Sequence, residues 1–280
     1  MRALAILLLL ASPAIAMDRN EADRARIAKY YEAALQLYAA GNYSRAITEW
    51  QNVLLVDAAQ KTAKSMTRQA REKIDKRDKK EQAKIFNQVR RGKYYDAYLT
   101  LQVLLERDAT HPLYRTLERR LELLTEIIKR APAGSRAWKR ASTGLSGYIA
   151  RKDDLQLAYN GLRYAKEILP REKRFQKAID LIIEERPTLA RDTITPGMKL
   201  LPHKRRVALH HIYDGKYNLA VDNLRQVLQL EPNDLVALKR LGSAYYQLRR
   251  FKRARQTWMK ALTLDPKDKQ LKKYLARTKR

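Results

Sequence analysis

Leu238-Lys239-Arg240-Leu241-Gly242-Ser243-Ala244-Tyr245, followed by Ala254-Arg255-Gln256-Thr257-Trp258 and closed by Asp265-Pro266, is the stretch that decides the fold. Leu238, Leu241 and Tyr245 fall three and four residues apart, the spacing that gathers apolar side chains on one face of a helix. Ala254, Trp258 and Ala261 keep that spacing, and Pro266, which cannot continue a hydrogen-bond ladder, ends the second helix. Small residues at Gly242 and Ala254 let the two helices cross closely, with Leu241, Tyr245 and Trp258 filling the space between them. One period upstream, Tyr217, Ala220, Leu224, Leu228 and Pro232 match Phe251, Ala254, Trp258, Leu262 and Pro266, each displaced by 34 residues. Such a pair carries apolar residues on more than one side, so it needs neighbours to cover it.

This signature resembles the tetratricopeptide repeat, with Leu238 where that family usually has tryptophan. The resemblance is strong over about residues 203–278. Two weaker forms stand upstream: Gly41-Asn42-Tyr43 with Ala46 and Trp50, and Gly92-Lys93-Tyr94 with Ala97 and Leu101. A more divergent unit has Leu145, Ala158, Leu162, Ala165 and Pro170. The matching alanines, Ala46, Ala97, Ala158, Ala220 and Ala254, are separated by 51, 61, 62 and 34 residues, which requires inserted helices near 61–80, 112–130 and 170–185. The expected fold is therefore all-α, with helix-turn-helix repeats forming an irregular right-handed α-solenoid.

The segments follow from the breaks in the pattern. Residues 1–16 read as a signal peptide: Arg2 supplies the charge, a short apolar run follows, and Ala14 and Ala16 stand at the small-residue positions before a cleavage site. An N-terminal helical segment spans 17–131, and a divergent one spans 132–186, with Ser135 as a helix cap. Residues 187–202 hold three prolines and Gly197 and read as a linker. The C-terminal pair and a basic capping helix occupy 203–280. The apolar run is about half of the ~20 residues that span a bilayer, so cleavage and export to a periplasm or the exterior are expected.

With 9 glycines, 9 prolines and 45% hydrophobic residues, the chain favours helices and buries a substantial core. It has no cysteine, which excludes disulfides and attachment of lipid to a mature N-terminal cysteine. The 59 basic and 30 acidic residues give +29; removing the signal leaves 58 minus 30, or +28. That charge points to an anionic neighbour, and export disfavours nucleic acid among them.

Catalytic chemistry finds no footing in the motifs. There is no nucleophile elbow, phosphate-binding loop or dinucleotide fingerprint. Thr143-Gly144-Leu145-Ser146-Gly147 lies within a helical pattern and reads as close packing. His210 and His211 are adjacent and point about 100° apart on a helix, unlike a chelating pair four residues apart. Asp153-Asp154 precedes a helix as a cap. No catalytic, metal or cofactor site is expected.

Two surfaces remain. The tetratricopeptide resemblance implies that the first helix of each pair lines a groove gripping an extended peptide or a helix of a protein partner. It places Tyr31, Leu35 and Tyr38 in the N-terminal groove and Arg205, Lys239, Ser243 and Tyr246 in the C-terminal one. The asparagines of the family's clamp for terminal carboxylates are missing. The stretch 61–84 alternates acids with bases as a solvated, salt-bridged helix does. From Arg249 to Arg280, by contrast, thirteen basic residues face only Asp265 and Asp268. Lys252, Arg253, Arg255, Lys272 and Lys273 form the expected anion-facing patch, for an anionic polymer or a membrane surface. The leading expectation is a non-enzymatic extracytoplasmic scaffold in an envelope or secretion assembly.

Overall fold

The computed structural model describes the backbone of residues 13–277 and the side chains of residues 21–277. Apart from the first turn of α1, the expected signal segment lies outside the described residues. The described chain is an all-α helical repeat of fourteen α-helices with no strand: α1 (Pro13–Ala39), α2 (Tyr43–Val56), α3 (Lys61–Arg77), α4 (Lys79–Arg90), α5 (Tyr94–Arg107), α6 (Pro112–Ile127), α7 (Arg136–Tyr148), α8 (Leu155–Ile168), α9 (Lys173–Glu185), α10 (Leu200–Tyr213), α11 (Tyr217–Leu230), α12 (Leu235–Gln247), α13 (Phe251–Leu264) and α14 (Lys269–Arg277). Helices pair as α1 with α2, α7 with α8, α10 with α11 and α12 with α13. The three insertions are α3, α6 and α9; α3 packs on α2 and α9 on α8.

The chain divides into two compact units. One holds the residues up to Gln82 with Val103–Arg115; the other holds Ala83–Gln102 with Thr116–Arg280. In the first, Ala34, Ala46, Ile47, Trp50, Val53, Ala63, Ala70 and Ile74 form a core with no exposed surface. Beyond it the chain breaks at Asp78, which is fully buried. Its carboxylate accepts from Arg77 Nε (2.9 Å), Arg107 (3.3 Å) and the Tyr114 hydroxyl (3.2 Å). Gln82 donates to Tyr114 Oη (2.9 Å) and Asp75 (3.2 Å). The stretch 61–84, expected as a solvated helix, is thus two helices around a buried carboxylate. Burial of Asp78 is tolerable because three donors satisfy it.

In the second unit glycine sets the closest approaches. A Cβ on Gly144 would stand 2.8 Å from the Gly161 Cα, so α7 and α8 touch backbone to backbone there. Ser135 and Asp154 cap α7 and α8 by accepting from the N–H groups of Trp138 and Leu157. Arg120 is nearly buried and donates to Tyr148 O (2.9 Å), Asp153 (2.9 Å) and Glu185. Asp153 and Glu185 are therefore structural partners of one arginine.

The stretch 187–202, expected as a linker, is packed inside this unit. It opens with a 3-10 helix, Pro187–Arg191, whose Leu189 is buried, and Ile194 packs against the core of the C-terminal helices. Asp192 accepts from Gln156 (2.9 Å) and from the buried Lys204 (3.1 Å). Residues 132–186 and 203–280 are also tied directly, by Arg140 to Glu231 (2.7 Å) and Asn160 to Gln226 (3.1 Å). The prolines here mark a packed corner: Leu189 and Ile194 join apolar contacts, and Asp192 ties the stretch to α8 and α10.

Candidate partner-binding and anion-facing surfaces

A recess of about 570 Å³ opens in the second unit where the ends of α7 and α8 meet α10 and the turn before α12. Ile168, Leu201 and Pro202 give it apolar walls, and charged groups ring them. Glu231 accepts from Arg136 (2.8 Å), Arg140 (2.7 Å) and the Tyr164 hydroxyl (2.9 Å). Burial alone would raise its pKa, but these donors hold it below the ordinary value. Asp234 accepts from Arg205 (2.6 Å) and caps α12 through the Ala237 N–H (2.9 Å).

Glu167 differs from both. Its Oε1 accepts from the Leu200 N–H at 2.8 Å, satisfying one free amide at the start of α10. Its Oε2 is buried without a hydrogen-bond partner. Burial raises the pKa of this carboxyl, against the Leu200 N–H and the charges of Arg163 and Lys199.

The sequence-predicted groove residues divide by role. Arg205 lines the recess and is ion-paired to Asp234. Lys239 pairs with Asp268, which also caps α14 through the Leu271 N–H. The Ser243 hydroxyl donates to the Lys239 carbonyl at 3.1 Å. Tyr246 lies against Phe251 and Trp258, with ring centroids 5.3 and 5.9 Å away. In the first unit Tyr38 lies against Tyr43 and Trp50 at 5.2 and 5.6 Å, Tyr31 is half-buried against the core, and Leu35 is 44% exposed. Tyr38 and Tyr246 thus close their own helix pairs, while Leu35 presents apolar surface to solvent. Tyr164, Glu167 and Glu231 of the recess carried no sequence signal, since each sits at a helix end where periodicity is silent.

Of the anion-facing residues, Lys252, Arg253, Lys272 and Lys273 are exposed and Arg255 is half-buried. None forms an ion pair among the described residues, whereas most basic residues of the recess do. Arg253 lies 6.0 Å from the Tyr245 ring centroid. Among the described residues no cluster of three or more His, Asp or Glu converges to hold a metal, and no helix is long and apolar enough to cross a membrane. His203 Nδ1 lies 3.3 Å from the Thr195 N–H, and burial lowers the pKa of the ring.

Residues 211–278 match a family described as tetratricopeptide repeat, covering α11 to α14. No curated protein matches the chain. Similar solved structures include the TPR2AB-domain:pHSP90 complex of yeast Sti1, at 15% identity over 90% of this chain and 83% of that one, with a TM-score of 0.28. Another is the P58(IPK) TPR domain, at 14% identity over 90% and 97% of the two chains, with a TM-score of 0.29.

Proposed function

We propose that this protein is a non-enzymatic scaffold that holds a protein partner, as an extended peptide or a helix, against its helix-pair repeats. The observation that carries the reading is the open recess ringed by Tyr164, Glu167, Lys199 and Arg205, with apolar walls at Ile168, Leu201 and Pro202 and charged groups around them. A peptide would find there both apolar contact and charged groups at the rim. The tetratricopeptide match over 211–278 supports the same reading.

The test is a photo-crosslinking residue placed at Lys199, at the rim, and at the exposed Lys177 of α9 as control. A discrete adduct from position 199 and none from 177 is expected. Equal labelling from both would sink the proposal.

Export belongs to the same proposal. It rests on the order of charge, apolar run and small residues over 1–16, and we propose that the exported scaffold serves an envelope or secretion assembly. Mass spectrometry of the mature N-terminus checks it: Met17 is expected, and retained Met1 refutes cleavage.

A second reading, contact with an anionic polymer or membrane surface through the C-terminal helices, is favoured by the lack of ion pairs among the described residues at Lys252, Arg253, Arg255, Lys272 and Lys273. Such contact weakens steeply with salt, whereas apolar peptide binding does not.

A further inference from the structure

The end of the turn between α12 and α13 and the first residues of α13 read Arg249-Arg250-Phe251-Lys252-Arg253, and all five residues are exposed. They line a shallow recess of about 670 Å³. Among the described residues none of the four cations has an ion-pair partner, and α13 contains no acidic residue. The nearest acid in sequence, Asp265, follows the last turn of a 14-residue helix, so it lies about 20 Å from the turn, beyond the ~8 Å screening length of physiological salt.

An apolar element sits within this charge. Phe251 is 46% exposed, yet its position is fixed by edge contact with Tyr246 at 5.3 Å. Two turns on, Met259 is 51% exposed on the same outward side of α13, with Lys252 and Lys260 beside it. The backbone at Arg249 also departs from its counterparts. Gly41, Gly92 and Gly215 hold the corresponding turns at φ of 72 to 77°, whereas Arg249 adopts φ 56°, a region that favours glycine. A fourth positive charge thus stands where glycine would fit without strain.

We propose that this turn and the outward side of α13 dock on an anionic phospholipid bilayer, with the four cations at headgroup level and Phe251 entering the boundary with the acyl chains. This rests on the second reading above and selects one surface from it. Charge complementarity alone would suit any polyanion. The exposed Phe251 and Met259 are what favour the bilayer, since an interfacial site gains from apolar side chains that a polyelectrolyte leaves in water.

The test uses the full chain with vesicles of phosphatidylcholine alone or with phosphatidylglycerol, and with dextran sulfate as a polyanion lacking an apolar phase. Sedimentation with the phosphatidylglycerol vesicles only is expected. Each of Arg250→Gln and Lys252→Gln should weaken it about fivefold, the worth of one cation near a charged surface. Phe251→Ser should weaken vesicle binding several-fold and leave dextran sulfate binding unchanged. Because that variant disturbs Tyr246, Phe251→Trp provides a second measure, with a fluorescence blue shift on adding anionic vesicles. Failure to sediment, or no blue shift, overturns the inference. If dextran sulfate binds and vesicles do not, the basic-face reading stands and the bilayer fails; if neither binds, both fail.

Discussion

The first and last helix pairs are built on one aromatic plan and solve its central contact differently. Tyr38, Tyr43 and Trp50 of α1 and α2 match Tyr246, Phe251 and Trp258 of α12 and α13, each 208 residues on. Both triads set the tyrosine edge-on to the next ring and lay it against the tryptophan. At Gly242 a Cβ would meet the Trp258 indole at 2.2 Å; the residue 208 positions earlier, in the core with Trp50, is Ala34. Trp258 uses that closeness to donate its Nε1–H to the Lys239 carbonyl at 3.1 Å, while the Nε1 of buried Trp50 has no partner. The pair with glycine at this position thus holds an indole whose donor is satisfied, and the pair with alanine holds one whose donor is not.

The largest effect that tests the shared plan is removal of either indole. Trp50→Ala and Trp258→Ala should each destabilise their own unit by about 4 kcal/mol, as large-to-small core changes do. Urea unfolding followed by far-ultraviolet circular dichroism measures this, and a loss below about 1 kcal/mol at either site would mean the ring is not core. The difference between the pairs is sharpened by exchanging the small residue. Gly242→Ala should cost about 2 kcal/mol by forcing Trp258 off its carbonyl. Ala34→Gly, with a weaker steric consequence, should cost about 1 kcal/mol through helix propensity alone.

These contrasts show which features the sequence makes legible. The 34-residue period, the close approach at Gly242 and the inserted helices follow from side-chain spacing, because period and residue size are properties of the chain itself. Asp78 was not legible: charges alternate over 61–84 as they do on a solvated helix, and only the arrival of Arg107 and Tyr114 from later in the chain reveals that this carboxylate is interior. The packing of 187–202 is illegible in the sequence for the same reason. Proline content marks the end of a helix but not whether Leu189 and Ile194 find a core. The groove residues placed by family resemblance were in register between the two pairs, yet two of them, Tyr38 and Tyr246, serve the pairs internally.

The recess gives a pH test of the second unit. Glu231 has a folded pKa held below its unfolded value, so its stabilisation is full above the unfolded pKa and is lost as pH falls through the folded one. Glu231→Gln should cost about 1.5 kcal/mol at neutral pH, the scale of a hydrogen bond to a charged group. It should also flatten the fall in denaturation midpoint below the ordinary carboxylate range; an unchanged acid profile would place that loss at other carboxylates.

A smaller contrast lies in the indole donors themselves. Trp258→Phe removes a made hydrogen bond and leaves the Lys239 carbonyl without this donor, whereas Trp50→Phe removes a buried donor that has no partner. The first should therefore cost about 1 kcal/mol more than the second. Equal losses measured by urea unfolding would mean that Trp50 finds a partner in solution.

The last test returns to the turns of the same two pairs. Gly41 takes a positive φ of 77° without a Cβ to crowd the chain, while Arg249 takes 56° with one. Arg249→Gly should raise stability by about 1 kcal/mol, since left-handed backbone costs a side-chain-bearing residue roughly 1–2 kcal/mol and part of this returns as flexibility of the unfolded chain. The same variant removes one of four cations from the proposed bilayer contact and should weaken sedimentation with anionic vesicles. A variant both more stable and weaker at the membrane would show that the strain is retained for the charge it positions. A variant more stable with unchanged vesicle binding would mean that Arg249 contributes nothing at that surface, leaving Arg250, Lys252 and Arg253 to hold it.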